Sequence, residues 1–150
     1  MVLMSTAVLP QMQDRRKGLV INVGSFSSES QTPFMSVYAS TKAFVESFSF
    51  SLAQEFAGTG VRIICTKPGF VITKMIENMV SESVLWPGPD AYVESHLKTA
   101  AIIPMTNGYW FHDVLSFVGS IMKNVMPFVF VTLNTSVMRP RGFNQTRKNE

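Results

Sequence analysis

Leu19-Val-Ile-Asn-Val23 and Val61-Arg-Ile-Ile-Cys-Thr66 are two short apolar runs rich in β-branched residues. Between them lies Ser36–Phe56, where apolar side chains recur at Val37, Phe44, Val45, Phe48, Leu52, Ala53 and Phe56. The two runs have the composition of strands buried on both faces, and the intervening span has helical spacing that Gly58 and Gly60 bring to an end. Strand, helix and strand in this order form a βαβ unit with parallel strands, so the expected fold class is α/β, a doubly wound parallel sheet. Ligands of such sheets bind outside the carboxyl ends of the strands. Those ends are Gly24-Ser25 and Pro68-Gly69-Phe70. Residues 24–35, rich in Ser, Gly and Pro, read as a loop. Upstream, residues 1–17 read as the last turns of a helix that stops at Gly18, with Arg15, Arg16 and Lys17 placed where cations suit the negative end of the helix dipole.

The rest of the composition agrees with one domain. At 150 residues, 46% hydrophobic and 15% charged, the chain has enough apolar material for a core and is excluded from the disordered class. Its net charge of +3 is unevenly placed. Arg15, Arg16 and Lys17 face only Asp14 at one end, and Arg139, Arg141, Arg147 and Lys148 face only Glu150 at the other, so the segment between is acidic on balance. A nucleic-acid surface needs its cations clustered on one folded face, and none is expected here. The single cysteine, Cys65, excludes an intrachain disulfide framework and a cysteine-based zinc site; it reads as inert core inside a strand. The N-terminus lacks the basic region, apolar run and cleavage site of a secretory signal. His96 and His112 have no metal-ligand spacing and read as helix-surface or packing residues.

The helix after the first strand end opens with Val37-Tyr38-Ala39-Ser40-Thr41-Lys42. Tyr38 and Lys42, four apart, project from one face one turn from each other. A phenol has an ordinary pKa near 10, and an ammonium a few ångströms away favours its ionised form, which brings it toward values useful for proton transfer. A tyrosine so tuned can give a proton to a carbonyl oxygen or take one from an alcohol. Ser25, at the preceding strand end, is placed to hydrogen-bond the same oxygen. The Gly-x-Ser-x-Gly elbow of hydrolases is absent, which argues against Ser25 as a nucleophile.

Asn22-Val-Gly-Ser25, Tyr38-Ala-Ser-Thr-Lys42 and Lys67-Pro-Gly-Phe-Val-Ile-Thr73 together resemble the short-chain dehydrogenase/reductase family in type, order and spacing, including the thirteen positions from Ser25 to Tyr38. The resemblance implies a Rossmann-like sheet and an NAD(P)-dependent oxidoreductase acting on an alcohol or ketone. In that reading Tyr38 is the general acid/base, Ser25 polarises the substrate oxygen, and Lys42 lowers the tyrosine pKa while bonding the nicotinamide ribose. The turn Pro68-Gly69-Phe70-Val71-Ile72-Thr73 would contact the nicotinamide carboxamide, chiefly through Val71 and Thr73. A narrower likeness rests on Leu9-Pro10-Gln-Met12, Lys17-Gly18, Gly88-Pro89-Asp90-Ala91-Tyr92-Val93 and Thr106-Asn107-Gly108-Tyr109. It is to the branch of very-long-chain 3-oxoacyl-CoA reductases and 17-beta-hydroxysteroid dehydrogenases of types 3 and 12. That branch implies NADPH rather than NAD, an apolar ketone or acyl-CoA substrate, either a 3-oxoacyl-CoA or a 17-keto steroid, and residence on the endoplasmic reticulum membrane with the active site facing the cytosol. It also implies a homodimer through the helix 36–56.

The same resemblance marks what the sequence lacks. The glycines at 18, 24, 58, 60, 69, 88, 108, 119 and 142 form no Gly-x-x-x-Gly-x-Gly turn of the kind that brings a pyrophosphate onto backbone N–H groups. The family's Asn-Asn-Ala-Gly element and the asparagine of its proton relay are missing too. Residues 1–80 therefore read as the C-terminal half of a dinucleotide-binding domain, either as a piece of a longer reductase or as an inactive short product that acts only by association through its bare sheet edge or an apolar helix. Residues 81–138 read as a substrate lid and a membrane-associating helical segment, and 139–150 as a basic tail whose Arg147-Lys148 resembles a retrieval signal. Within 114–133, Lys123, Asn124 and Pro127 interrupt the apolar run, which favours a helix lying on the membrane or over the substrate pocket to one that spans. Met75, Ile76, Met79, Val80 and Leu85 read as a mobile lid or as ordinary core.

Overall fold

The computed structural model describes residues 1–30, 32–74, 81, 83–100 and 103–146, with backbone alone over 140–146. The chain runs α1 (Val2–Asp14), β1 (Gly18–Val23), a 3-10 turn (Phe26–Ser28), α2 (Ser36–Glu55), β2 (Val61–Thr66), α3 (Pro89–Ala100), β3 (Met105–Thr106), α4 (Trp110–Val125) and α5 (Pro127–Thr146). Both expected strands and the long helix are present. Their strands pair in parallel, from Gly18 with Val61 to Val23 with Thr66. β3 joins β2 on the far side, again parallel, through Cys65–Met105 and Thr66–Thr106, giving the order β1-β2-β3. The sheet therefore extends past the boundary expected at residue 80, because a two-residue strand carries too little periodic signal to be read in advance.

Side chains alternate across β2, and helices cover both of its faces. Val61 and Ile63 pack with Leu9 and Met12 of α1 and with Leu52, Ala53 and Phe56 at the end of α2. On the opposite face Ile64 is fully buried, Thr66 meets Tyr92 and His96 of α3, and Arg62 donates to the Ala100 carbonyl at 3.0 Å. β1 differs from expectation. Val20 and Asn22 face α2, but Leu19, Ile21 and Val23 stay exposed, because among the described elements no helix lies over that side of the edge strand. On α2, Val37 and Phe44 are 77% and 55% exposed, so its apolar residues fall on two stripes, of which only the Leu52–Phe56 end reaches the core.

α1 ends at Asp14, and the three cations follow it rather than occupy its last turn. Arg16 makes the turn at φ +49°, a left-handed conformation that a glycine would take with less strain. Toward the C-terminus, the apolar run expected as one segment over 114–133 divides at Met126, and Pro127 opens α5, where its missing N–H is no loss. α5 continues helical to Thr146, through the start of the expected tail. Among the described residues no helix is long and apolar enough to cross a membrane. Met75, Ile76, Met79 and Val80 of the expected lid, and Arg147-Lys148 of the tail, lie outside the described residues.

Two glycines between α2 and β2 separate backbone strain from crowding. Both have positive φ, +78° at Gly58 and +84° at Gly60, but a Cβ on Gly58 would meet open space while one on Gly60 would lie 2.1 Å from the Arg16 carbonyl oxygen. Gly58→Ala should cost about 1–2 kcal/mol of unfolding free energy, the left-handed penalty alone. Gly60→Ala should cost clearly more, because a carbonyl cannot swing away as a side chain can. Urea unfolding of the two variants checks the order, and equal losses would mean that the α1–β1 turn yields freely.

Candidate active site

The carboxyl ends of β1 and β2 lie side by side, and backbone hydrogen bonds continue past the strands. The Gly24 N–H donates to the Thr66 carbonyl at 2.8 Å and the Phe26 N–H to the Pro68 carbonyl at 3.0 Å. Ser25 thus sits in a loop tied at both neighbours to the end of β2. Its side chain caps the 3-10 turn, accepting from the Ser27 N–H at 3.2 Å and the Ser27 hydroxyl at 2.9 Å. With both lone pairs engaged, the Ser25 proton has no acceptor among the described residues and can be donated outward.

α2 enters from the side of these ends. Tyr38, in its first turn, is 42% exposed. One turn on, the Lys42 ammonium donates to the Val23 carbonyl at 3.1 Å and lies 5.7 Å from the centre of the Tyr38 ring. Lys42 therefore ties the Tyr38 turn to the strand end that leads into Ser25. The same stripe of α2 continues inward. The Asn22 amide donates to the Ser49 hydroxyl at 2.9 Å, and Ser49 in turn donates to the Val45 carbonyl at 2.7 Å. The opposite side of α2 carries a shallow groove of about 480 Å³, lined by Ser36, Val37, Ser40, Thr41 and Phe44, away from Tyr38 and Lys42.

Sequence reasoning missed the charges beneath this surface. Lys67, the residue after β2, is only 6% exposed, and its ammonium donates to Glu46 at 3.0 Å and to Glu29. Burial pulls the Lys67 pKa down, but hydrogen bonds to the two carboxylates and their charges outweigh it and hold it above the ordinary lysine value. The ammonium therefore stays charged below about 10.5, and its contribution to stability is lost only as pH rises through the folded-state value. Burial, with Glu46 nearby, pushes the Cys65 thiol up, in keeping with inert core. A lysine ending an apolar strand was the available signal.

The turn Pro68–Thr73 leaves β2 beside α4. The Gly69 N–H donates to His112 Nδ1 at 3.3 Å, and a Cβ at Gly69 would lie 3.0 Å from the imidazole. Phe70 packs edge-on against Trp86, and the Ile72 N–H donates to the Pro87 carbonyl at 2.9 Å. Val71 is half-buried and Thr73 exposed, which leaves Thr73 open to a ligand. Among the described residues no group of His, Cys, Asp and Glu side chains could hold a metal ion.

Residues 1–83 match the family described as short chain dehydrogenase. The chain belongs to that family. Relatives include very-long-chain 3-oxoacyl-CoA reductase-A of Danio rerio, 34% identical over 145 residues, with 97% of this chain and 45% of that protein covered. The very-long-chain 3-oxoacyl-CoA reductase of Homo sapiens is 33% identical over 150 residues, with 97% and 46% covered. The chain spans about half the length of the curated relatives it matches. Among solved structures, a 7beta-hydroxysteroid dehydrogenase aligns with a TM-score of 0.68 at 17% identity, covering 81% of this chain and 48% of that one. A 3-oxoacyl-[acyl-carrier protein] reductase from Brucella melitensis aligns with a TM-score of 0.58 at 20% identity, covering 71% and 47%. These last two establish the short-chain dehydrogenase fold.

Within that fold His112, 1% exposed, and His96 are buried packing residues rather than surface ones. Burial lowers the pKa of each below 6.5. The unfolded chain then binds more protons, so their contribution is complete above 6.5 and declines as pH falls toward the folded-state values. The urea midpoint should drop on acidification below 6.5, and less steeply in His112→Gln, which keeps an acceptor for Gly69. An unchanged slope would remove His112 from the groups responsible.

Proposed function

We propose that this chain supplies the catalytic residues of an NADPH-dependent reductase of apolar ketones, with a 3-oxoacyl-CoA as substrate. The observation that carries this reading is the Lys42 ammonium, fixed to the Val23 carbonyl and close to the Tyr38 ring. It is supported by the 3-oxoacyl-CoA reductase relatives, which favour the acyl-CoA over a steroid ketone.

The donor set fits the nicotinamide and ribose part of an NADP cofactor. Lys42 has three N–H donors, of which among the described residues one is engaged, with Val23, so others are available to ribose hydroxyls. Gly69 is held by His112, and Val71 and Thr73 follow at the open end of the turn, where they would meet the carboxamide. When bound, the nicotinamide supplies the hydride. Tyr38 delivers a proton to the ketone oxygen. The Ser25 hydroxyl, with its own acceptor sites filled by Ser27, donates to that oxygen and holds the carbonyl in line.

The exposed apolar side chains of α4 and α5, among them Phe117, Ile121, Val125, Phe128 and Leu133, support contact with the surface of the endoplasmic reticulum membrane, with the site toward the cytosol. The outward groove on α2 supports a homodimer through that helix. A second reading, association without turnover, is favoured by the exposed Leu19, Ile21 and Val23 on β1.

Titration with NADPH and assay on a 3-oxoacyl-CoA separate the two readings. Tyr38→Phe should lower turnover by roughly 10²–10⁴-fold, the usual worth of a positioned proton donor, while cofactor affinity is kept. Full turnover in that variant, or no saturable NADPH binding by the unmodified chain, would refute the catalytic reading.

A further inference from the structure

The loop that carries Ser25 is closed off by charge. Glu29, directly after the 3-10 turn, accepts from Lys67 on one carboxylate oxygen and from the Ser116 hydroxyl of α4 on the other. Its backbone carbonyl accepts from the Lys123 ammonium of α4 at 3.2 Å. Glu46, one turn beyond Lys42 on α2, accepts from Lys67 at 3.0 Å and, on its second oxygen, from the Ser28 hydroxyl. Lys67 is the hub. It follows β2 directly, and its two carboxylate partners belong to the Ser25 loop and to the helix of Tyr38 and Lys42. Between the loop and α4 lies a cavity of about 340 Å³, bounded by Phe26, Glu29, Ser116, Lys123 and Phe130 among others, so close apolar packing does not set the loop from that side.

We propose that Lys67 is a positioning residue for Ser25, holding Glu29 and Glu46 together so that the Ser25 loop keeps a fixed place against α2 and α4. The inference rests on Ser25 orienting the substrate oxygen. Its physical signature is a charge balance. Without the ammonium, Glu29 and Glu46, whose side chains are 27% and 21% exposed, face each other across the place that Lys67 buries. The remaining charged or titratable neighbours do not replace it: Lys42, one turn before Glu46, is held at the Val23 carbonyl, Lys123 is engaged with the Glu29 backbone carbonyl, and the Cys65 thiol, its pKa raised, is neutral. The pair then repels and opens the loop, unless a proton taken up on acidification bridges the carboxylates in place of the lysine.

Hydrogen exchange of the purified full chain, read by peptide mass spectrometry, tests this at about pH 8 and pH 6. Lys67→Met should lower protection of residues 24–30 roughly tenfold at the higher pH and regain most of it at the lower, with residues 49–56 of α2 unchanged as a check on folding. Lys67→Arg should keep protection. The double variant Lys67→Met/Glu46→Gln, which removes the repulsion with the attraction, should fold without the pH dependence even where Lys67→Met does not. Unchanged protection of 24–30 in Lys67→Met, or a loss that acidification does not reverse, would overturn the proposal. In NADPH turnover, Lys67→Met should lower kcat with the KM for NADPH unchanged, and a matching rise in KM alone would also overturn it. Absence of turnover in the unmodified chain would count against the catalytic reading of Ser25, whereas the exchange experiment would still decide whether Lys67 holds the loop.

Discussion

The Asn22 amide and the Ser49 hydroxyl meet at 2.9 Å in the interior between β1 and α2, and along the same stripe Glu46 reaches Lys67 and Lys42 reaches the Val23 carbonyl. These bonds are directional, and each breaks if the helix turns or slides by a fraction of a residue. Removing one partner of a buried neutral pair costs about 1–3 kcal/mol, and of a buried ion pair about 3–5 kcal/mol. Apolar contact has no such angular demand. Accordingly α2 is divided in labour. Its C-terminal end adheres to the sheet through Leu52, Ala53 and Phe56, while its N-terminal half, where Tyr38 and Lys42 lie, is oriented by polar bonds to the strand ends.

That orientation links the site to the sheet. Parallel pairing brings Val23 opposite Thr66, so the two chain exits leave the sheet at the same level. Gly24 and Phe26 then bond across the gap to Thr66 and Pro68, and Ser25 is left between two fixed neighbours. On the other side of β2, Tyr92 of α3 bonds Thr66 and donates to the Asn107 carbonyl at 2.9 Å, while Asn107 donates to Asp113 of α4 at 2.8 Å. This second polar chain carries α4 to the place where His112 meets Gly69 and Ser116 meets Glu29. The turn after β2 is thereby gripped from both faces.

Much of this was legible in advance and some was not, for reasons that lie in how side chains encode structure. β1, β2 and α2 were readable because periods of two and 3.6 recur over enough residues to stand out, and Tyr38 with Lys42 because a four-residue interval has one meaning on a helix. The same periodicity places Val37 and Phe44 on the helix without saying what lies opposite them, and both are exposed. β1 was expected to be covered on both faces because composition cannot tell a central strand from an edge with one bare side. β3 is too short to show a period. The Lys67 cluster was invisible for a different reason: Glu29, Glu46 and Lys67 are separated by tens of residues, and isolated charges in a sequence carry no mark of the partner that will neutralise them.

The described interior is polar where the surface is apolar, and the two facts are connected. Asn22, Ser49, Thr66, Lys67, His96, Thr106, Asn107 and His112 are buried, whereas Leu19, Ile21, Val23 and the outer sides of α4 and α5 are not. Among the described residues His96 Nε2, Asn107 Oδ1 and His112 Nε2 are buried without a partner, but Asn22, Ser49, Thr66 and Lys67 are bonded. Dipoles and charges already held by partners need no reorganisation when charge develops nearby, which suits a site proposed to stabilise a developing oxyanion. They also make that interior unforgiving, because a polar group without its partner is costlier than an apolar gap of the same size. Exposed apolar faces have the opposite property, since they accept any complementary surface that removes water from them. The polar interior therefore fixes one geometry for Ser25, Tyr38 and Lys42, while the apolar exterior leaves β1, α4 and α5 free to be covered without disturbing it.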